Sequence, residues 1–402
     1  MLELEEARQR LLEVIQALPS EMVPLSLAAA RVMAETVASP IDLPAFDNSA
    51  MDGYALRSDD VARANAESPI ALRLAGHVPA GVVFTGAVQP GTCVRVFTGS
   101  PLPNGADAVV MREDTRNETG QPETVLILDH VKPWENVRFR AEDVKAGAPL
   151  ARAGEIITPG RAGLMTATGI NSVSVHRRPI VGLLATGSEL VEAGHSLPPG
   201  KIYESNRCML EPLLVRSGAV ARLFPLVSDA LEDTGDALRQ AFEECDAVLT
   251  SGGVSVGELD FVKPAFEKLG GTMEFWKVAI KPGKPFVFGR WDHKFLFGLP
   301  GNPVSALVTF LLLVRPALRR WQGATDVLPP ITHGILAEAL ANHGERRHFM
   351  RVRVDEDGAV RSCGAQASHL LTSLALANGL LEVPPNSTLA AGSQVRVIRI
   401  DD

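Results

Sequence analysis

Cysteine and uninterrupted apolar sequence are both scarce in this chain of 402 residues. The four cysteines, Cys93, Cys208, Cys245 and Cys363, lie far apart, with no C-x-x-C pair and no histidines at zinc-binding spacing. That argues against a disulfide scaffold or zinc module and predicts free thiols in a reducing, cytoplasmic compartment. The most apolar run, Leu307 to Val314, is far shorter than the roughly 20 residues that cross a bilayer, so it predicts a core helix. Positive charge is not in excess: the net charge is −8, which argues against general binding to nucleic acid or acidic membranes. Internal repeats, low-complexity tracts, G-x-x-x-x-G-K-[ST] and H-E-x-x-H are all missing. The first residues, MLELEEARQRLLEVIQALPS, are amphipathic and acid-rich, unlike a signal peptide with its basic start and apolar centre.

What is present is an ordinary globular composition, 46% hydrophobic and 21% charged, in a chain long enough for several domains. Helical spacing of apolar residues predicts helices over Glu3 to Leu18 and Leu25 to Val37, the second stopped by Pro40. From Leu43 to Val131, short β-branched runs separated by Gly/Pro/Asn turns predict a β-rich module. Val144 to Val175 holds one short Ala/Gly-rich helix between strand-like ends and is expected to pack back on the N-terminal segment. From Pro179, strands alternate with helices near Ser205 to Arg216, Leu231 to Glu244 and Leu259 to Leu269, followed by three strands and a long helix, Val304 to Trp321. Such alternation predicts a mainly parallel sheet covered on both faces, with ligands at the strand ends. Beyond Gly323, alternating runs predict a small β domain. The expected domains are therefore 1–42 with 141–178 (helical, linking), 43–140 (β-rich), 179–322 (α/β) and 323–402 (C-terminal β).

The residues with chemistry concentrate between Asp246 and Lys284. A buried-type strand runs into Ser251, Gly252, Gly253, Ser255 and Gly257, where glycines let the backbone approach a ligand and amides at a helix start favour an anion. An ordinary strand-to-helix turn is the plain alternative. Next come Lys277, Lys281 and Lys284 around a Pro/Gly turn; like charges held together suit a polyphosphate or oxyanion, although solvated surface lysines would look the same. FGLPGNPVS offers a third turn through Pro300 and Gly301, with Asn302 as N-cap and Pro303 at the first helical position. ATGSEL offers a fourth, with Thr186, Gly187 and Glu189. Outside this domain, DNSAMDGYA clusters polar residues that serve equally well as a turn or as a site. A rival reading is a serine hydrolase, because Gly253-Val-Ser-Val-Gly257 matches the nucleophile-elbow pattern with Ser255 as nucleophile.

Taken together, DNSAMDGYAL, VFTGSPLPNGADAVVMRED, AEDV, LATGSEL, IYESN, TSGGVSVGELDFVK, KVAIKPGKPFVFG and FGLPGNPVSAL resemble the MoeA family of molybdopterin molybdenumtransferases, related to the E domain of gephyrin. The resemblance implies a multidomain α/β plus β fold: a molybdopterin-binding sheet domain, a β-rich domain, a linking domain and a small C-terminal β-barrel. It implies a homodimer that takes adenylylated molybdopterin and molybdate, inserts the metal at the dithiolene and releases AMP, with Mg²⁺ as the divalent ion and other proteins of cofactor biosynthesis as partners. By motif, it points to Asp52, Asp143, Glu189, Asp229, Asp260, Lys277 and Lys281 as catalytic, and to Thr98, Arg351 and Ser368 as ligand-binding. Asp52, Asp143, Asp229 and Asp260 are its expected metal ligands. A non-catalytic pterin-binding scaffold is the second reading from a different class.

Overall fold

The computed structural model describes residues 1–79, 81–118, 121–254 and 260–400. The chain forms four architectural units, one of them built from two separate stretches, and two of the four meet at the site.

The first helix, Leu4–Val14, places Leu4, Ala7 and Leu11 on one buried stripe and Glu5 and Glu6 in its first turn, where the helix dipole favours acids. It packs against Arg315–Trp321, so its apolar face belongs to the core of the α/β unit. The helix expected over Leu25 to Val37 does not form. Only a 3₁₀ turn, Leu25–Leu27, precedes Ala30 at φ 62°, and Val37–Ala38 is a strand paired with Pro149–Ala151. The apolar residues of this Ala-rich stretch are buried instead by β pairing: Val32 bridges Ile156, and Met33 is bonded through its backbone to Glu155. Long-range pairing overrides a weak helical propensity here. Ser20–Pro24 pairs antiparallel with Ser172–His176. Between these pairings lies the helix Pro159–Ala167, opened by Thr158, whose side chain accepts from the Arg161 amide, and by Pro159.

The β-rich unit is a six-stranded sheet in the order Ala108–Met111, Gly53–Leu56, Thr92–Val96, Ile70–Val78, Gln121–Ile127, Thr115–Glu118. Gly53 lies so close to its neighbour that an added Cβ would sit 2.0 Å from the Val110 carbonyl oxygen. No larger residue fits there without moving a strand.

The α/β unit has the strand order Val220–Leu223, Ile180–Ala185, Ala247–Ser251, Lys294–Leu299, Pro285–Trp291, Thr272–Lys277. The first four run parallel, but Pro285–Trp291 runs antiparallel to both its neighbours, so the sheet is mixed at one end. The cause is local: Asp292, at φ 54°, turns Pro285–Trp291 straight back into Lys294–Leu299 as a hairpin, with no crossover helix. Alternate strand residues face opposite ways. Val181, Leu183, Leu249 and Phe297 pack with Leu4–Val14, Asn206–Arg216 and the long C-terminal helix, while Leu184, Val248 and Leu296 pack with Leu231–Glu244 and Val262–Lys268. The long helix is α over Pro303–Thr309 and Arg315–Trp321, with a π-helical turn at Phe310–Val314 just before Pro316.

The C-terminal unit closes on itself. Arg347–Val354, Ala359–Ser362, Ile331–Leu336, Gln394–Arg399 and Gly379–Val383 form a ring of five strands, because Gly379–Val383 pairs with both Gln394–Arg399 and Arg347–Val354. A sixth segment, Ile280–Lys281 from the α/β unit, adds parallel to Arg347–Val354 and sets Lys281 opposite His348.

Candidate functional site

Three parallel strands end side by side, and their loops are laced together by backbone bonds. The Thr186 amide donates to the Ser251 carbonyl at 3.0 Å, and the Gly252 amide donates to Leu299 at 3.1 Å. Gly252 has φ 92°, and a Cβ there would lie 2.5 Å from the Thr186 carbonyl oxygen, so the loop requires glycine for both reasons. Asn206, more than nine-tenths buried, clasps two of the loops: its Nδ2 donates to Ser251 Oγ at 2.6 Å and to the Gly301 carbonyl at 2.7 Å.

These loops wall a cleft of about 640 Å³. Thr186, Gly187, Ser251, Gly252, Gly253, Pro300, Gly301 and Asn302 line it, together with the carboxylates Glu189, Asp229 and Asp260. Asp229 is held by a reciprocal clamp, in which its Oδ2 accepts from the Ser188 amide at 2.8 Å while its own amide donates to Ser188 Oγ at 2.9 Å. The segment Ile202 to Ser205 also lines the cleft. That segment is fixed by the buried Arg207, which bonds Glu204, Glu192 and the Phe224 carbonyl.

A second cleft, about 690 Å³, adjoins the first and shares Pro285, Pro300, Asn302 and His369 with it. Its character is opposite: Lys281, Lys284, Arg346 and His348 line it, with Ser305, Gln366 and Ser368. The C-terminal barrel supplies one wall. Asn302 sits at the N-cap of its helix, but its side chain makes no cap bond; it donates to Ser368 Oγ at 3.2 Å, and the Ser368 carbonyl accepts from the Val304 amide. The helix start is thus capped from another unit. Arg351 is fully buried behind this wall, where Nη2 donates to the carbonyls of Ala365 and Ala367 and Nε to Ser373 Oγ. Arg351 thus holds the loop that carries Gln366 and Ser368 through Nε and Nη2, while its Nη1 is buried without a hydrogen-bond partner among the described residues. Burial, reinforced by Lys281, Arg351 and Arg346, pushes the His348 imidazole down to about 4, so it is neutral at physiological pH.

The remaining expected residues lie elsewhere in the chain. Asp52 stands at the start of Gly53–Leu56, its Oδ1 accepting from the Thr98 amide (2.8 Å) and hydroxyl (2.9 Å). Those bonds, backbone first, hold its carboxyl below the usual range. Asp143 lines a separate depression with Leu43, Pro44, Arg138 and Glu142. Neither carboxylate lines either cleft of its own chain, and neither does Lys277, on the edge strand Thr272–Lys277. Near Asp52 and Asp143 in the sequence, among charged neighbours, the apolar Phe46, Met51, Trp134 and Phe139 are exposed, the last two with rings 5.6 Å apart. Among the described residues no group of three or more His, Cys, Asp or Glu is arranged to hold a metal ion. Ser255 and Gly257 lie outside the described residues.

From the sequence, no role in this site is assigned to Asn206, Arg346, His348 or His369. Asn206 had a signal, the IYESN run at a strand-to-helix junction. The others reach the site only because a barrel strand docks on Ile280–Lys281, which no local pattern reveals.

A sheet with glycine turns at its parallel strand ends, beside a barrel wall, defines a class of pterin-binding protein: residues 182–320 match the family model described as a probable molybdopterin binding domain. The flanking regions complete the assignment, with 2–169 matching the MoeA N-terminal region (domains I and II) and 333–400 the MoeA C-terminal region (domain IV), and the chain belongs to the MoeA family. It is 39% identical over 404 residues to Molybdopterin molybdenumtransferase 2 of Mycobacterium tuberculosis, covering 99% of each chain. It is 39% identical over 405 residues to the Molybdopterin molybdenumtransferase of Haemophilus influenzae, covering 99% of this chain and 98% of the relative. The solved molybdopterin biosynthesis moeA protein of Pyrococcus horikoshii OT3 superposes with a TM-score of 0.84 at 33% identity, over 99% of this chain and 100% of that one.

Proposed function

We propose that this protein is a molybdopterin molybdenumtransferase that inserts molybdenum from molybdate into adenylylated molybdopterin and releases AMP, forming molybdenum cofactor. The observation that carries this reading is the pair of adjoining clefts with a shared wall: one has carboxylates and backbone turns, the other cations and hydroxyls. A pterin nucleotide joined by a phosphoanhydride fits the first, and a tetrahedral dianion fits the second. Across the shared wall the dithiolene meets the oxyanion. In the balanced reaction, metal–oxygen bonds give way to metal–sulfur bonds, oxygen leaves as water with the thiol protons, and water cleaves the anhydride, leaving one phosphate esterified to the pterin and releasing AMP.

Each residue then has a task. Thr186, Gly187, Ser251, Gly252, Gly253, Gly301 and Asn302 hold the pterin phosphate and nucleotide. Lys281 and Lys284 draw the oxyanion into the second cleft and, from beside the shared wall, stabilise charge developing on the opening anhydride; Lys277, outside both clefts, takes no part in contact. Glu189, Asp229 and Asp260 form the acidic side. Their donor chemistry fits Mg²⁺, which takes one or two carboxylates and completes its shell with phosphate oxygens and water, so no ready-made protein cage is needed. When bound, the ion would supply polarisation of the phosphoanhydride.

Asp52, Thr98 and Asp143 complete the site from a second copy of the chain, making the active form a homodimer. The exposed Phe46, Met51, Trp134 and Phe139 near them in the sequence support an interface there. Four free cysteines suit a cytoplasmic location, and no helix among the described residues is long and apolar enough to cross a membrane.

The test is AMP release from adenylylated molybdopterin with and without molybdate. Release that ignores molybdate sinks the insertion reading, and absence of release would leave a pterin-binding scaffold. Mixed dimers of Asp52→Ala and Lys281→Ala subunits test the shared site: activity returns in the mixture although each parent is inactive. A mixture as dead as its parents would refute the sharing.

A further inference from the structure

His348 is a buried group, among the described residues, whose chemistry the reading above leaves unused. It lies on Arg347–Val354, its Cα paired with Lys281 on one side and Val383 on the other, so its position is fixed by the β ladder from both directions. Only 4% of its surface is exposed, yet it lines the basic cleft. Neither ring nitrogen has a hydrogen-bond partner among the described residues, and Nε2 is fully buried without one. Buried polar atoms are nearly always paired, because stripping water from a donor without replacement is costly. Nε2 is shielded from the cleft, so Nδ1, which is not fully buried and has no partner among the described residues, is the ring atom left for a ligand in the cleft.

Its surroundings say which atom. The neighbouring cleft side chains are Lys281, Lys284, Arg346, Ser305 and Ser368, all able to donate and none a carboxylate. A further cation beside them would be repelled, and a neutral imidazole avoids that. A neutral ring still carries one N–H, and a tetrahedral oxyanion offers only acceptors.

We propose that His348 is a specificity-determining residue of this cleft, donating an N–H hydrogen bond to the bound oxyanion. This rests on the transferase reading, since it names the substrate of the basic cleft as the molybdate dianion. The lysines and Arg346 attract the dianion from a distance through charge. His348 acts only at contact, and its ladder-fixed direction selects an acceptor at one place.

The experiment uses the full-length protein and titrates molybdate in the AMP-release assay. His348→Phe is expected to raise the KM for molybdate about tenfold, or about 1.4 kcal/mol, with kcat within twofold. His348→Gln, which keeps an N–H donor, recovers most of the loss. An unchanged KM in His348→Phe overturns the proposal, as does equal impairment of both variants, which indicates a packing role. A third measurement needs no substitution: in protein labelled with ¹⁵N-histidine, molybdate alone shifts the imidazole signal that is missing from His348→Gln, and a static signal refutes contact. If molybdate shifts that signal but AMP release ignores molybdate, the transferase reading fails and the contact stands. If release depends on molybdate while signal and KM stay fixed, only the His348 proposal fails.

Discussion

The two clefts share a wall but are built by different means. The acidic cleft is a product of one sheet: Thr186, Gly252 and Leu299 are joined by backbone bonds, and Asn206 ties the same loops through its side chain. The basic cleft is a product of two units, because Arg346, His348, Gln366 and Ser368 come from the barrel and Lys281, Lys284 and Ser305 from the α/β unit. The difference teaches where a site is legible. Strand-end glycines advertise themselves in sequence, whereas a site assembled by docking is visible only once the docking is known.

The comparison is broken most severely at Gly252. Gly252→Val places branched carbons against the Thr186 carbonyl oxygen at a φ of 92°, and should abolish AMP release while leaving molybdate binding to the second cleft measurable by calorimetry. Lys281→Ala should do the reverse, weakening molybdate binding by roughly 100-fold, or about 2.7 kcal/mol, with pterin nucleotide affinity changed no more than a few-fold. Equal losses of both ligands in either variant would mean that the clefts are one site.

Arg351→Ala should act through structure. It frees the carbonyls of Ala365 and Ala367 and leaves a cavity, so urea unfolding is expected to show a loss of about 2–4 kcal/mol, accompanied by a raised molybdate KM. Unaltered stability would contradict a role for these bonds in holding the loop. The smallest effect concerns pH. The folded protein holds His348 near 4 while the unfolded chain titrates near 6.5, so the unfolded state binds more protons in that window. Stability therefore falls as pH drops from about 6.5 towards 4. Between pH 7 and 5 the wild type should lose on the order of 1–2 kcal/mol more than His348→Phe, read from urea midpoints; identical pH dependence in the two proteins would contradict a buried neutral ring.

Much of the α/β unit was legible because its strands and helices alternate and its loops carry glycine and proline. Asp246 illustrates the rest. It opens the motif as a mere strand start, but its carboxylate receives two hydrogen bonds from Arg177 and one from the Ile180 amide. Burial raises its pKa, and these bonds outweigh that and lower it overall. The residue anchors the strand and touches no cleft. Leu25 to Val37 misled for the opposite reason: its apolar spacing fits a helix, but its partners are strands more than 100 residues away. Asp52 and Asp143 were found by motif, and one chain cannot display what they complete.

The parallel pairing of Ile280–Lys281 with the barrel has a consequence for how the protein can be cut. A boundary drawn between the two units would expose a short unpaired edge on one piece and remove the ladder that aims Lys281. The barrel is in this sense the template on which part of the neighbouring unit's backbone is laid. An isolated α/β fragment would retain every residue of the acidic cleft and still present its lysine as a wandering charge rather than a directed one.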